Sequence, residues 1–233
     1  MRITLPSGTP AEIARPEGEP SRGLVIVPDI GGLRPLFDGL VARLARGQGW
    51  AVCAFELWAG RDDLPTLADR LAAGGSLDDE RVLGDAAAAA DVTGADPVGI
   101  VGFCMGGMYA LKAAGTGRFA RAASFYGMAR VPEMWRSPTQ GEPLEALTGP
   151  DACPAIEIAG TADPWLPADD LDALESAGVE VVRYVGADHG FVHDPDRPAH
   201  RPDDAADAET GPACSVTAGR LKEAGSAATR PSR

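Results

Sequence analysis

The sequence predicts an α/β protein whose mostly parallel central sheet carries helices on both faces. Short apolar runs alternate along the chain with segments of helical periodicity, and strands separated by helices pair in parallel. The length of 233 residues suits one well-cored domain. Hydrophobic residues make up 45% of the chain and charged residues 24%, which is ordinary for a globular protein.

Each element follows from its local pattern. An unbroken apolar run at 23–28 is typical of a strand buried on both faces. Apolar residues at helical spacing predict a helix at 35–46. Gly178 stops the last predicted helix, because glycine readily adopts the left-handed conformation that closes helices. The complete prediction, in chain order, is strand 23–28, helix 35–46, strand 51–55, helix 78–91, strand 97–102, helix 105–114, strands 122–126 and 155–159, helix 168–177 and strand 179–184.

The domain is predicted to span residues 1–209. From about Thr210 the chain is rich in Gly, Ala, Ser, Thr and Arg and offers no apolar face for packing. We therefore expect the tail, 210–233, to be poorly ordered or atypical. A short helix at 203–209 has only weak support from the pattern.

Charge and cysteine spacing restrict the partners and cofactors. A net charge of -13 would repel a phosphate backbone, which excludes nucleic acid. No apolar run approaches the roughly 20 residues of a membrane span, and the N-terminus does not resemble a signal peptide. The four cysteines form no CxxC pair or zinc pattern. We expect a cytoplasmic protein without membrane contact, metal or organic cofactor, and a monomer or small homo-oligomer.

The most informative segment is Gly-Phe-Cys-Met-Gly at 102–106, between a predicted strand and a predicted helix. A nucleophile at such a turn has strained backbone angles, and the residues two positions to either side must be small. Gly102 and Gly106 meet this requirement. The helix N-terminus would stabilise negative charge on the Cys104 sulfur, and the Met105 N–H is a natural oxyanion donor. A free cysteine is often only a small buried residue, but the strand–helix context favours a nucleophile.

A thiol nucleophile needs a base, and the chain has three histidines. His189 directly follows the last predicted strand, where α/β folds place functional loops. His193 and His200 lie in a loop rich in proline and aspartate, which is typical of solvated surface. We therefore predict that His189 is the base.

The acid that orients the base should follow a strand between nucleophile and base. Asp163 does so, after a strand and a turn of small residues. The order Cys, Asp, His then matches the α/β-hydrolase fold. Asp169 and Asp170 are rivals that suit the start or outer face of a helix, and Asp188 is a rival that adjoins the base.

With these residues the chain resembles the dienelactone hydrolase family. The resemblance runs from about residue 23 to residue 197 and rests on four short segments: Gly-Phe-Cys-Met-Gly-Gly at 102–107, Phe-Tyr-Gly at 125–127, Gly-Thr-Ala-Asp at 160–163 and Asp-His-Gly-Phe at 188–191. It implies an α/β-hydrolase fold and a Cys104–His189–Asp163 triad without a cofactor.

The resemblance also implies roles for residues outside the triad. An acidic residue after an early strand contacts the thiol in this family, and Asp29 stands at that position, followed by Ile30 as the second oxyanion donor. Tyr126 lies in a matching segment and is a candidate to line the substrate pocket. The carboxylate-binding arginine expected four residues after the base is replaced by His193, and Arg197 is the nearest arginine.

The predicted function is hydrolysis of a lactone or carboxylic ester through a thioester on Cys104. The alternative is a non-enzymatic protein that binds small molecules in a degenerate pocket. A class I glutamine amidotransferase is excluded because Met108 and Phe191 replace that family's glutamine and glutamate. A nucleotide-binding function is disfavoured because the glycines lack the GxGxxG spacing.

Overall fold

The computed structural model describes residues 1–211. Its strands are β1 (Arg2–Thr4), β2 (Pro10–Ala14), β3 (Gly23–Val27), β4 (Ala51–Phe55), β5 (Val98–Phe103), β6 (Arg121–Phe125), β7 (Ala155–Gly160) and β8 (Glu180–Tyr184). Its helices are α1 (Pro35–Gln48), α2 (Leu67–Ala72), α3 (Asp79–Thr93), α4 (Met105–Ala114), α5 (Pro143–Leu147), α6 (Ala168–Ser176) and α7 (Pro202–Thr210). Two short 3₁₀ segments occur at Gly74–Ser76 and Glu133–Trp135.

The strands form one sheet in the order β1-β2-β4-β3-β5-β6-β7-β8. Strands β3 to β8 are parallel, and β1 and β2 add an antiparallel edge beside β4. The predicted parallel sheet is confirmed, with strand bounds within one or two residues. The sequence reading missed β1 and β2, because β1 has three residues and β2 buries only Ala11 and Ile13 fully.

The core lies on both faces of the parallel strands. Every residue of β3, β4 and β7 is buried, which requires cover on each side of the sheet. All ten residues of α4 are buried as well, so the helix after Cys104 is a fixed support. Proline at the start of α1 and Gly49 in a left-handed conformation after its end fix the bounds of that helix.

The C-terminal region begins as α7, which carries the segment 203–209 that the sequence supported only weakly. Of the tail predicted to begin at Thr210, all but Thr210 and Gly211 lies outside the described residues. Within residues 1–211, no helix has the length and apolar character needed to cross a membrane.

The carboxyl ends of the parallel strands meet at one edge of the sheet. The loops there carry Asp29 after β3, Cys104 after β5, Tyr126 after β6, Asp163 after β7 and His189 after β8. This is the edge at which open α/β sheets bind ligands.

Candidate active site

Cys104 occupies the sharp turn between β5 and α4. Its backbone angles are φ 55° and ψ −120°, and its N–H donates to the carbonyl of Phe125 over 3.0 Å. A Cβ on Gly102 would lie 1.9 Å from the Gly106 carbonyl oxygen, and a Cβ on Gly106 would lie 2.2 Å from two carbonyl oxygens of the β3 end. The turn therefore closes only with glycine at both positions, as the spacing predicts.

The side chains of Cys104, His189 and Asp163 meet at this turn. Nδ1 of His189 donates to Oδ2 of Asp163 over 2.8 Å, and the His189 ring interacts with the nearby Cys104 side chain. Oδ1 of Asp163 accepts from the N–H of Trp165 over 2.8 Å. Because both oxygens of this buried carboxylate are occupied, it holds the imidazole in one orientation.

The environment of His189 favours the imidazolium form. Burial opposes a positive charge on the ring, but the hydrogen bonds with Asp163 and Cys104 and the charges of both partners outweigh burial. The pKa of His189 is raised from 6.5 to about 10.

The two predicted oxyanion donors lie next to Cys104 in the chain and in the loop after β3, the strand that pairs with β5. Met105 is the first residue of α4, and the N–H of a first helical residue has no acceptor within its own helix. Ile30 lies in the loop after β3, where its carbonyl accepts from Nε1 of Trp58 over 2.8 Å. Arg70 also hydrogen-bonds the carbonyl of the neighbouring Gly31, so this loop is held on its outer side.

Asp29 is bound by other partners. Its carboxylate accepts from the N–H of Gly31 over 2.8 Å, from both terminal nitrogens of Arg34 over 2.5 and 2.9 Å, and from Nε2 of His193 over 2.7 Å. Within residues 1–211, Cys104 is not among its hydrogen-bond partners. The thiol contact implied by the resemblance is therefore absent from this conformation, because four donors already saturate the carboxylate.

The prediction that His193 is solvated was wrong. Its side chain is 1% exposed, it packs against the rings of Phe37 and Phe103, and its Nδ1 hydrogen-bonds the Tyr126 hydroxyl. The prediction failed because the polar loop around His193 folds inward onto partners far away in the sequence. Tyr126 is fully buried, with a φ of 43°, and its ring packs edge-on against His189.

A pocket of about 620 Å³ adjoins the base. Its lining includes His189, Trp165, Arg197 and His200. The guanidinium of Arg197 lies over Gly190 and has no ion-pair partner among residues 1–211. His200, predicted as solvated, is half-buried, and its Nδ1 lacks a hydrogen-bond partner in the described part of the chain. The lining thus combines the Trp165 ring with two arginines, Arg197 and Arg201, and one carboxylate, Asp188.

The rival acids have other contacts. Asp170 pairs with Arg130 over 3.0 Å, Asp169 lies in the first turn of α6, and Asp188 accepts from the backbone N–H of His189. Trp165 lines the pocket beside His189. Tyr126, the predicted pocket-lining residue, is instead packed in the core.

The sheet and the sharp strand–turn–helix connection at Cys104 together define an α/β-hydrolase fold. The family model described as the dienelactone hydrolase family matches residues 9–213, which is most of the chain. This protein belongs to the dienelactone hydrolase family.

Individual relatives agree with this assignment. A Bradyrhizobium protein named "Probable 2-oxo-3-(5-oxofuran-2-ylidene)propanoate lactonase" is 29% identical over 195 residues, which cover 77% of this chain and 76% of the relative. A Synechocystis protein assigned as a carboxymethylenebutenolidase is 34% identical over 119 residues, 48% of this chain and 47% of the relative. A crystal structure assigned as a dienelactone hydrolase from Klebsiella pneumoniae superimposes with a TM-score of 0.79 at 27% identity, covering 94% of this chain and 98% of that one.

Proposed function

We propose that this protein hydrolyses a lactone or carboxylic ester through a thioester on Cys104. The observation that carries the proposal is the contact of one imidazole with both the thiol and a buried carboxylate, at a turn that only glycine can close. Two similar proteins whose names specify lactone hydrolysis support the same reaction class.

In the first half of the reaction, the Cys104 sulfur, whose proton is held by His189, attacks the carbonyl carbon. The N–H groups of Ile30 and Met105 stabilise the negative charge that develops on the carbonyl oxygen. The tetrahedral intermediate collapses with loss of the ester or ring oxygen, which takes the proton from His189. A thioester on Cys104 remains.

In the second half, His189 takes a proton from water, and the resulting hydroxide attacks the thioester. The thiolate of Cys104 leaves while the proton from water stays on His189, which restores the starting state and completes the cycle. Asp163 keeps the same ring nitrogen directed at the sulfur and the water throughout. No step requires a metal or an organic cofactor.

The substrate is proposed to carry a carboxylate. Arg197 provides a guanidinium without an ion-pair partner in the described chain, on the wall of the pocket that contains His189. Such a group binds a carboxylate through two parallel hydrogen bonds. Arg197→Gln is then expected to raise KM for a carboxylate-bearing lactone about 10-fold or more, and to leave KM for a neutral ester within about 2-fold.

The test is a panel of dienelactones, saturated lactones and p-nitrophenyl esters assayed with Cys104→Ala. Cys153→Ala is the matched control, because Cys153 is a partly buried free cysteine far from Cys104 in the sequence. We expect the first variant to lose turnover while it retains its far-UV spectrum and melting temperature, and the second to remain active. Full activity of Cys104→Ala would refute the mechanism. Ligand binding without turnover in the wild type would identify the protein as a binding protein instead.

A further inference from the structure

His193 is buried beside the proposed catalytic groups but has no part in the reaction described above. Its ring lies 5.7 Å from the Phe37 ring and 4.9 Å from the Phe103 ring, centroid to centroid, and is nearly parallel to both. Both of its nitrogens have partners on other loops. A buried histidine that uses both nitrogens in this way fixes the relative positions of its partners.

The charge of Asp29 determines which atoms in this network donate hydrogen bonds and which accept them. Burial opposes ionisation of that carboxyl, but the hydrogen bonds and charges of His193 and Arg34 outweigh it and lower its pKa. An ionised carboxylate only accepts, so Nε2–H of His193 donates to Asp29. In the neutral ring, Nδ1 then accepts from the Tyr126 hydroxyl.

Three loops of the proposed active site are joined by these contacts. Asp29 immediately precedes the proposed oxyanion donor Ile30, and His193 lies four residues after the proposed base. Tyr126 follows Phe125, whose carbonyl accepts the backbone N–H of the nucleophile. A shift of His193 would therefore move the oxyanion loop relative to both nucleophile and base.

We propose that His193 is a positioning residue that holds the oxyanion loop in register with the nucleophile through its bonds to Asp29 and Tyr126. This inference rests on the proposed function. Among residues 1–211, one other ion pair joins the same two loops, between Arg34 and Asp194, but its 3.7 Å separation and partial exposure make it the weaker link. His193 thus has a structural role distinct from that of the triad.

Two variants separate positioning from packing. His193→Phe keeps an aromatic ring packed against Phe37 and Phe103 but removes both polar contacts. His193→Gln keeps one donor and one acceptor on a flexible side chain. Because loss of a whole oxyanion donor lowers kcat about 100- to 1000-fold, a displaced donor is expected to lower it about 10- to 100-fold. We expect this loss in His193→Phe, a KM within about 3-fold of wild type, and partial recovery of kcat in His193→Gln.

The rate at which iodoacetamide alkylates Cys104 distinguishes a displaced oxyanion loop from a general structural defect. A general defect would lower this rate as well as kcat. This reaction uses the thiol and the base but no oxyanion hole, so its rate in His193→Phe is expected to stay within about 3-fold of wild type. A wild-type kcat in this variant would overturn the proposal. A parallel loss of kcat and alkylation rate would also overturn it, because the effect would then act on the nucleophile.

Tyr126→Phe repeats the test with the loss of one oxygen atom if His193→Phe does not fold. It is expected to lower kcat by about 3- to 10-fold with the alkylation rate retained, and an unchanged kcat would overturn the proposal. A wrong proposed function would be recognised by a different result, because turnover would then survive in Cys104→Ala.

Discussion

Asp163→Asn tests the proposed role of the buried carboxylate with almost no change in volume. Oδ1 of Asp163 accepts from the Trp165 N–H over 2.8 Å, and Oδ2 accepts from His189 Nδ1 over 2.8 Å. An asparagine that keeps the first bond directs its NH₂ group at His189. Nδ1 must then accept, so the proton moves to the nitrogen that should receive the proton of Cys104.

The expected loss follows from these contacts. A hydrogen bond to a buried charged group contributes about 1.5–3 kcal/mol, which corresponds to roughly 10- to 100-fold in rate. The inverted tautomer increases the loss toward about 10⁴-fold, the effect of the equivalent change in serine proteases. We therefore expect kcat to fall about 10²- to 10⁴-fold, with KM changed less than about 3-fold, because the carboxylate is buried away from the pocket.

The assay is steady-state hydrolysis of a p-nitrophenyl ester, with the melting temperature as a check on folding. Asp188→Asn is the matched control, because in the described part of the chain the Asp188 carboxylate accepts from the backbone N–H of His189, which an asparagine oxygen also accepts. The control is expected to retain kcat within about 2-fold. A loss below about 5-fold in folded Asp163→Asn, or equal losses in the two variants, would refute the reasoning.

Three further predictions concern stability. Gly106→Ala places its Cβ 2.2 Å from the carbonyl oxygens of Val27 and Pro28; we expect urea unfolding to show a loss of about 2–4 kcal/mol, and Gly84→Ala, in open space on α3, to be neutral or stabilising. The raised pKa of His189 means that folding favours its protonated form. This contribution is complete below about pH 6.5 and is lost as the pH rises toward 10, so unfolding free energy should decline over that range, and less steeply in His189→Gln. Asp79→Ala leaves the buried Lys112 ammonium without its partner at 2.9 Å, and about 3–5 kcal/mol should be lost in the same assay, whereas an unchanged midpoint would contradict the ion-pair reasoning.

The proposed triad could be located from the sequence because each member sits at a strand end with a local signal. The glycines two positions to either side of Cys104 indicate the turn, and Asp163 and His189 each follow an apolar run. Local signals suffice because parallel strands present their carboxyl ends on one edge of the sheet. The order of residues along the chain then brings the three side chains together.

His193 could not be located in this way. Its neighbours in sequence are polar and rich in proline, which is typical of solvated loops. Its burial depends on Asp29, which lies 164 positions away, and on the aromatic rings of Phe37 and Phe103. Contacts over such separations leave no periodicity in the sequence. The predicted contact between Asp29 and the thiol depended on a position matched to a family pattern. Such a match carries no information on how many donors surround the carboxylate.

The missed elements have a different physical cause. Helices α2 and α5 have six and five residues, too few for a helical period to be recognised. The start of α2 is fixed instead by a capping box, in which the side chains of Thr66 and Asp69 each accept the other's backbone N–H.

The central claim is that the acyl group passes through the sulfur of Cys104. The most direct measurement is acid quenching of the wild type during turnover of an ester, followed by mass analysis of the intact protein and its peptides. The account predicts an acyl adduct on the Cys104 peptide that hydroxylamine removes, and no adduct on this peptide in Cys104→Ala. Sustained turnover without that adduct, or an adduct on another residue whose removal abolishes turnover, would contradict the account.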